Sequence, residues 1–354
     1  MTCGPFLVFD HQISDNLCYS ISVPDSSDCV FYLYYNQEEA KKGSKYGGTG
    51  FFVSVPSTKD SRYDYHYAVT NYHNIKNGHT TIRVKMQNGE YDFFDPIPDI
   101  EWKHIPGGGD VAVAALNHIL MGDKYEATAI PVGLFATKKI VKEKDIYVGD
   151  DVFMVGRFIE YDGGPTNLPA ARFGHISIMP TKITPMDNGD TESYCIDCHS
   201  RSGFSGSPVF TYNPPGNNLD KIFRYGNTMS DNSLMYFLGI HWAQFPERWE
   251  ITEKDKLKKT SALKIKGKFI EGVSGMTCVM TPEPIIEVLN MAQFKEQRRK
   301  GDIELEADFR RHGYPPKPET ARRPIPDSEN PQHKEDFNSL LTLAAKKKPP
   351  TDET

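Results

Sequence analysis

Glycines bracket one serine in the run Ser202-Gly203-Phe204-Ser205-Gly206-Ser207-Pro208-Val209-Phe210. Residues without a Cβ let the backbone bend tightly, so a turn of this kind exposes a hydroxyl. It also lets successive N–H groups converge on one point, as stabilisation of an oxyanion requires. The chemistry suggested is attack of Ser205 on an acyl carbon. Gly-x-Ser-Gly by itself has little specificity. A second copy, Gly272-Val273-Ser274-Gly275, lacks the following proline, runs straight into the strand-like Met276 to Met280, and reads as a turn.

A serine nucleophile needs a base, and the chain has 11 histidines. His73 closes Ala68-Val69-Thr70-Asn71-Tyr72-His73, an apolar run ending in a polar turn, where a side chain can reach a cleft. An isolated histidine there could equally serve only to hydrogen-bond backbone. The third requirement is an acid to hold the imidazole tautomer. Asp110 follows Gly107-Gly108-Gly109 and opens Val111-Ala112-Val113-Ala114-Ala115-Leu116, so its carboxylate sits at the mouth of an apolar strand. His104 and His118 flank Asp110 as rival bases, but neither ends an apolar strand. Each motif is weak alone. The order His73, Asp110, Ser205 is what gives them weight.

The elements that must position these residues are mostly short strands. Cys29 to Tyr35, Gly50 to Val55, Tyr67 to Thr70, Thr81 to Met86 and Val152 to Val155 are β-branched or aromatic runs, most of them bounded by Gly, Pro, Asn or Asp. The run Thr81 to Met86 alternates as a half-buried strand should. Many strands at short spacing, with no alternation of strand and helix, predict an all-β antiparallel sandwich or barrel. One helix is expected late, over about 282–299. Thr281-Pro282 supplies its start, and Ile285, Ile286, Val288, Leu289 and Ala292 supply a 3.6-residue period.

At this point the chain resembles the trypsin-like (chymotrypsin-fold) serine peptidases of bacterial type. The likeness runs over about residues 28–295, through Val69-Thr70-Asn71-Tyr72-His73, Asp110-Val111-Ala112-Val113 and Gly203 to Val209, with Gly47-Gly48-Thr49-Gly50-Phe51-Phe52-Val53 similar to the strand that packs beneath the histidine loop. The resemblance implies two six-stranded antiparallel β-barrels with the site between them. It makes Ser205 the nucleophile, His73 the general base and then acid, and Asp110 the residue that orients His73. The N–H groups of Gly203 and Ser205 would bind the oxyanion. Phe237-Leu238-Gly239-Ile240-His241-Trp242 looks locally like the bacterial glutamyl endopeptidases. That implies an S1 pocket bounded by Ser200, Gly239, His241 and Trp242, with His199 nearby, and cleavage after acidic residues. The alternative for His241 is packing beside Trp242 on a barrel strand. The chain departs from animal members in having Asn74, and no cysteine, after His73. No activation cleavage site is recognisable.

Composition bounds the rest. With 354 residues, 38 % hydrophobic and 25 % charged, the chain can bury a sizeable core. The net charge of −6 advertises no nucleic-acid or anionic-membrane surface. No apolar run approaches the length of a spanning helix, and no basic, apolar leader opens the chain. Six cysteines without such a leader read as reduced thiols, so a cytoplasmic location is expected. Cys195-Ile196-Asp197-Cys198-His199 lacks a second ligand pair and reads as core thiols, so neither metal nor cofactor is expected. Residues 1–27 read as an N-terminal extension. From residue 300 to 354 the chain is charged and proline-rich, and it reads as a mobile tail. The expected partner is a polypeptide substrate. The composition and spacing leave the oligomeric state open. Two other readings compete: a binding or scaffold module on the same fold, and an esterase, although the α/β-hydrolase order places serine first.

Overall fold

The computed structural model describes residues 28–45, 47–60, 63–95, 100–116, 124–183, 191–212, 235–250 and 269–312. The expected extension 1–27, the long segment 213–234 and the part of the expected tail beyond 312 lie outside these residues.

Two antiparallel sheets follow one another along the chain, the all-β organisation implied above. The first is built from β1 (Val30–Tyr34), β2 (Thr49–Pro56), β3 (Asp64–Thr70), β4 (Thr81–Lys85), β5 (Tyr91–Phe94) and β6 (Ala112–Ala115), in the spatial order β5-β4-β1-β2-β3-β6. A two-residue strand, β7 (Ile130–Pro131), adds to β2 in parallel. The second contains β8 (Asp151–Gly156), β9 (Ala170–Ile183), β10 (Thr191–Asp197), β11 (Pro208–Tyr212), β12 (Met235–Glu250) and β13 (Phe269–Met280). It closes as β10-β13-β12-β11-β8-β9. The expectation of two closed barrels therefore holds for the second sheet, while the described strands of the first form an open order. All five strands expected from the β-branched runs are present. The Gly272 to Gly275 segment does not reverse the chain; it lies within β13, which bulges here against β12, and Ser274 Oγ donates to the Phe245 carbonyl there. An extra residue taken up inside a strand kinks it without ending it.

Five α-helices occur among the described residues, where one was expected. α1 (Gln37–Lys42) and α3 (Lys138–Glu143) are short helices stabilised by N-caps: the side chains of Asn36 and Thr137 accept from the N–H groups of Glu39 and Ile140. α2 (Tyr72–Lys76) follows β3 directly. The expected C-terminal helix is two helices, α4 (Glu283–Leu289) and α5 (Ala292–His312). Ile285, Ile286, Val288 and Leu289 are buried as their period predicts, but Ala292 is exposed; the helix ends at Leu289, and Ala292 opens the next one, so the period is not continued. No described helix is long and apolar enough to cross a membrane.

α5 also corrects the expected start of a tail at residue 300. Asp302, two residues further on, is buried, and its carboxylate accepts from Ser57 Oγ (2.6 Å), Thr58 Oγ1 (2.6 Å) and Tyr65 OH (2.7 Å) at the far end of the β2–β3 hairpin. Arg298 donates to Tyr67 OH, and Phe309 packs near Tyr63. A stretch poor in apolar residues is held here by hydrogen bonds that composition does not reveal. Asp302→Ala should cost about 2 kcal/mol in urea unfolding, because the buried hydroxyls of Ser57 and Tyr65 lose this acceptor. A cost below a few tenths of a kcal/mol would mean that α5 rests on the hairpin without depending on it.

The second correction concerns β4. Its alternation predicted one solvent-facing side, yet Thr81 and Arg83 are as buried as Ile82 and Val84. The loop after β8 covers that face. Arg83 and Arg157 are both fully buried against Tyr32 and Tyr34, each guanidinium lying 4.7–5.9 Å from the two ring centroids. Arg157 pairs with buried Asp162 at 2.7 Å, while Arg83 donates to Asn167 and to the carbonyls of Ala40, Gly164 and Thr166. Arginine suits such a place because its planar fork both stacks on rings and meets several carbonyls. This cluster clamps the first sheet to the β8–β9 loop of the second.

Candidate active site

His73 and Asp110 come from the first sheet. Ala68 and Val69 bury in β3, and the polar run after Thr70 then turns into α2, which carries His73 to a half-exposed position. Asp110 lies where the chain enters β6, and the β3–β6 pairing Thr70↔Ala112 brings the two loops together. The carboxylate makes two contacts with one residue: Oδ1 accepts the backbone N–H of His73 at 2.8 Å, and Oδ2 lies 2.5 Å from His73 Nδ1. The Asp110 carbonyl accepts from Tyr72 N–H and Asn71 Nδ2. A proton on Nδ1 satisfies this arrangement and leaves the Nε2 lone pair as a base. His104 stacks on Tyr72 at 3.7 Å, beside the histidine loop rather than in competition with His73. His118 lies outside the described residues.

Ser205 comes from the second sheet, in the turn before β11. Gly203 and Gly206 on either side have φ of +98° and +89°, which side chains with a Cβ rarely tolerate. Gly206 also has no room for one: a Cβ would come within 2.0 Å of the Thr49 carbonyl oxygen. Within the turn the N–H groups of Phe204, Gly206 and Ser207 are spent on the carbonyls of Arg201, His241 and Phe204. Those of Gly203 and Ser205 have no acceptor among the described residues. The two N–H groups assigned to an oxyanion are thus the uncommitted ones.

The structure brings the Ser205 turn against the His73 loop. Asn74, next to His73, donates from Nδ2 to the Ser205 carbonyl at 3.1 Å, and Thr49 N–H donates to the same oxygen at 2.9 Å. Ser205 Oγ makes no hydrogen bond with His73 among the described contacts; such bonds are often long until substrate binds. Thr49, Thr70 and Asn74, which tie the two sheets together here, were not distinguished by sequence as site residues. The polar run after an apolar strand was the only signal for Thr70 and Asn74.

The expected pocket residues are all on the second sheet. His241 Nδ1 donates to the Phe204 carbonyl at 3.1 Å, and its backbone exchanges bonds with Gly206 and Ser207. His241 is 3 % exposed, and burial holds its pKa down at about 4, so the ring is neutral near pH 7. With Nδ1–H committed, Nε2 is an acceptor, and it has no partner among the described residues. Ser200 Oγ is likewise buried and unpartnered, whereas neighbouring His199 is exposed. Trp242 is buried in the core with its indole N–H on Ser193 Oγ, and Gly239 pairs with Val209. Both are committed to barrel packing. The thiols of Cys195 and Cys198 are buried in different core clusters. Burial pushes the Cys198 thiol up to about 11 and that of Cys278 to about 12, which keeps them protonated.

No protein-family model matches the sequence, and no curated protein matches it. Among solved structures the chain is similar to the MamO protease domain from Magnetospirillum magneticum, with 14 % identity, 74 % of this chain and 95 % of that chain covered, and a TM-score of 0.42. It is also similar to Deg5 (19 % identity, 62 % and 81 % covered, TM-score 0.36) and to an inactive form of Rv3671c from M. tuberculosis H37Rv (16 %, 75 % and 87 %, 0.40).

Proposed function

We propose that the chain is a serine endopeptidase that cleaves polypeptides through an acyl-enzyme. The observation that carries this reading is the double contact of Asp110 with His73, made beside a serine turn whose two relevant N–H groups are unspent. In this reading Ser205 Oγ attacks the substrate carbonyl and passes its proton to His73 Nε2. Asp110 holds the Nδ1–H tautomer and stabilises the imidazolium that results. The oxyanion accepts from the N–H groups of Gly203 and Ser205. His73 then returns the proton to the leaving amine, and water repeats the sequence on the ester. A scaffold module on the same fold would have no use for this contact. A fluorophosphonate probe separates the two: wild type should be labelled and Ser205→Ala should not. A folded wild-type chain that never reacts overturns the enzymatic reading.

For P1 preference, His241 and Ser200 support an acidic residue in a proton-linked way. A carboxylate brought to Nε2 needs a proton there, and its charge would raise the His241 pKa from about 4. A carboxylate P1 therefore binds with proton uptake, so kcat/KM for Glu at P1 should fall as pH rises from 5 to 8, relative to Gln. His241→Ala should abolish that difference. The neutral ring itself favours a second reading, an amide P1 whose NH2 donates to Nε2. A peptide library in which Gln leads at every pH would replace the acidic preference with that one. Dominant cleavage after Lys or Arg would remove both, since Ser200 and His241 offer a cation no counter-charge.

A further inference from the structure

The Ser205 turn is held from within by the bonds of Phe204 N–H to Arg201 and of Ser207 N–H to Phe204, neither of which involves Gly203 or Ser205. Two of its residues are glycines at positive φ, and the N–H groups proposed to bind the oxyanion are the ones without partners. Their direction must be set from outside. One residue of the opposite sheet does this on both sides of the serine, through its side chain at Gly203 and its backbone N–H at Ser205. Thr49, at the start of β2, is fully buried. Its Oγ1 donates to the Gly203 carbonyl at 2.7 Å and accepts the Arg157 N–H at 2.9 Å. Its N–H donates to the Ser205 carbonyl, and its own carbonyl accepts from Thr70 Oγ1. Every polar group of Thr49 is spent.

We infer that Thr49 is a positioning residue for the oxyanion-binding turn, an inference that rests on the serine-peptidase reading above. The peptide plane that carries the Ser205 N–H lies between the Gly203–Phe204 and Ser205–Gly206 planes. Thr49 grips the carbonyls of both flanking planes from the first sheet. The hydroxyl acts as donor and acceptor at once, and Arg157, part of the buried clamp, fixes it through its backbone. Docking of the two sheets therefore sets the oxyanion geometry. Thr49 touches no substrate and acts through Gly203 and Ser205.

Valine has the shape of threonine and neither hydrogen-bonding capacity, so Thr49→Val isolates the hydroxyl. Serine keeps both capacities and loses a methyl group. On a peptide substrate, Thr49→Val should lower kcat by about 10–100-fold with KM within about twofold, since an error of about 1 Å at the reacting groups is enough for such a loss. Thr49→Ser should recover to within about threefold of wild type. In the phosphonyl adduct, the 31P resonance should shift in Thr49→Val and return in Thr49→Ser. Should Thr49→Val not fold, Thr49→Cys against Thr49→Ser makes the same comparison with a much weaker donor. Unchanged kcat in the folded variant, or equal losses in the Ser and Val variants, would overturn the inference and leave Thr49 as packing. A wild-type chain that does not react with fluorophosphonate would instead overturn the peptidase reading and this inference with it.

Discussion

Ser205→Ala and His73→Ala should each lower kcat by about 10⁴-fold or more, with little change in thermal unfolding. In the proposed mechanism the first removes the nucleophile and the second the base that receives its proton. Asp110→Asn should cost a similar amount for a different reason. Asp110 accepts from both the backbone N–H and the ring of His73. An asparagine can keep one of these as an acceptor, but an NH2 facing Nδ1 would favour the tautomer with its proton on Nε2, where a base is needed. Because the proposed mechanism makes the three residues one unit, the double variant Ser205→Ala/His73→Ala should be barely slower than either single variant. Steady-state kinetics on one peptide decide this. Losses that multiply would show that the residues do not belong to one mechanism, and so would an Asp110→Asn variant at full activity.

The second large effect is on stability. Asp162→Asn should cost about 3–5 kcal/mol, the range for removing one partner of a buried pair. Arg157 and Arg83 are both fully buried, and Asp162 is the carboxylate bound to this cluster. Without it the guanidinium of Arg157 keeps its desolvation cost and loses its counter-charge. The ring contacts with Tyr32 and Tyr34 offset only part, at roughly 1–2 kcal/mol each at best. Chemical denaturation followed by tryptophan fluorescence measures the loss. The double variant Arg157→Met/Asp162→Leu should recover much of it, since apolar side chains of similar volume need no counter-charge. A loss under 1 kcal/mol for Asp162→Asn would mean that water reaches the cluster and that it does not clamp the sheets.

Much of the scaffold was legible in the sequence because strands and turns are written locally. β-branched runs bounded by turn residues located β1, β2, β3, β4 and β8, and the glycines around Ser205 announced a tight turn. The apolar period of α4 was visible for the same reason. The pairing of His73 with Asp110 was anticipated from their types and from the ends of apolar runs on which they sit. None of this required knowing what lies opposite.

What the tertiary structure decided is what covers what. Arg83 occupies the side of β4 that its alternation assigned to solvent, and it is buried because a loop from the other sheet closes over it. Asp302 falls in a stretch whose composition reads as a tail, yet Ser57, Thr58 and Tyr65, more than two hundred residues earlier, give its carboxylate three donors. The neutral state of His241 follows from its burial, which neighbours along the chain do not record. Thr49 reads as one polar residue in a glycine-rich strand start, and only the docking of the two sheets brings Gly203, Ser205 and Arg157 to it. Local propensity is a property of a few consecutive residues. Desolvation and hydrogen-bond satisfaction belong to groups brought together from distant segments, so the sequence by itself determined these local strands, the turn around Ser205 and which residues to test as a triad, and the packing of one sheet on the other decided which charges and hydroxyls those elements would bury.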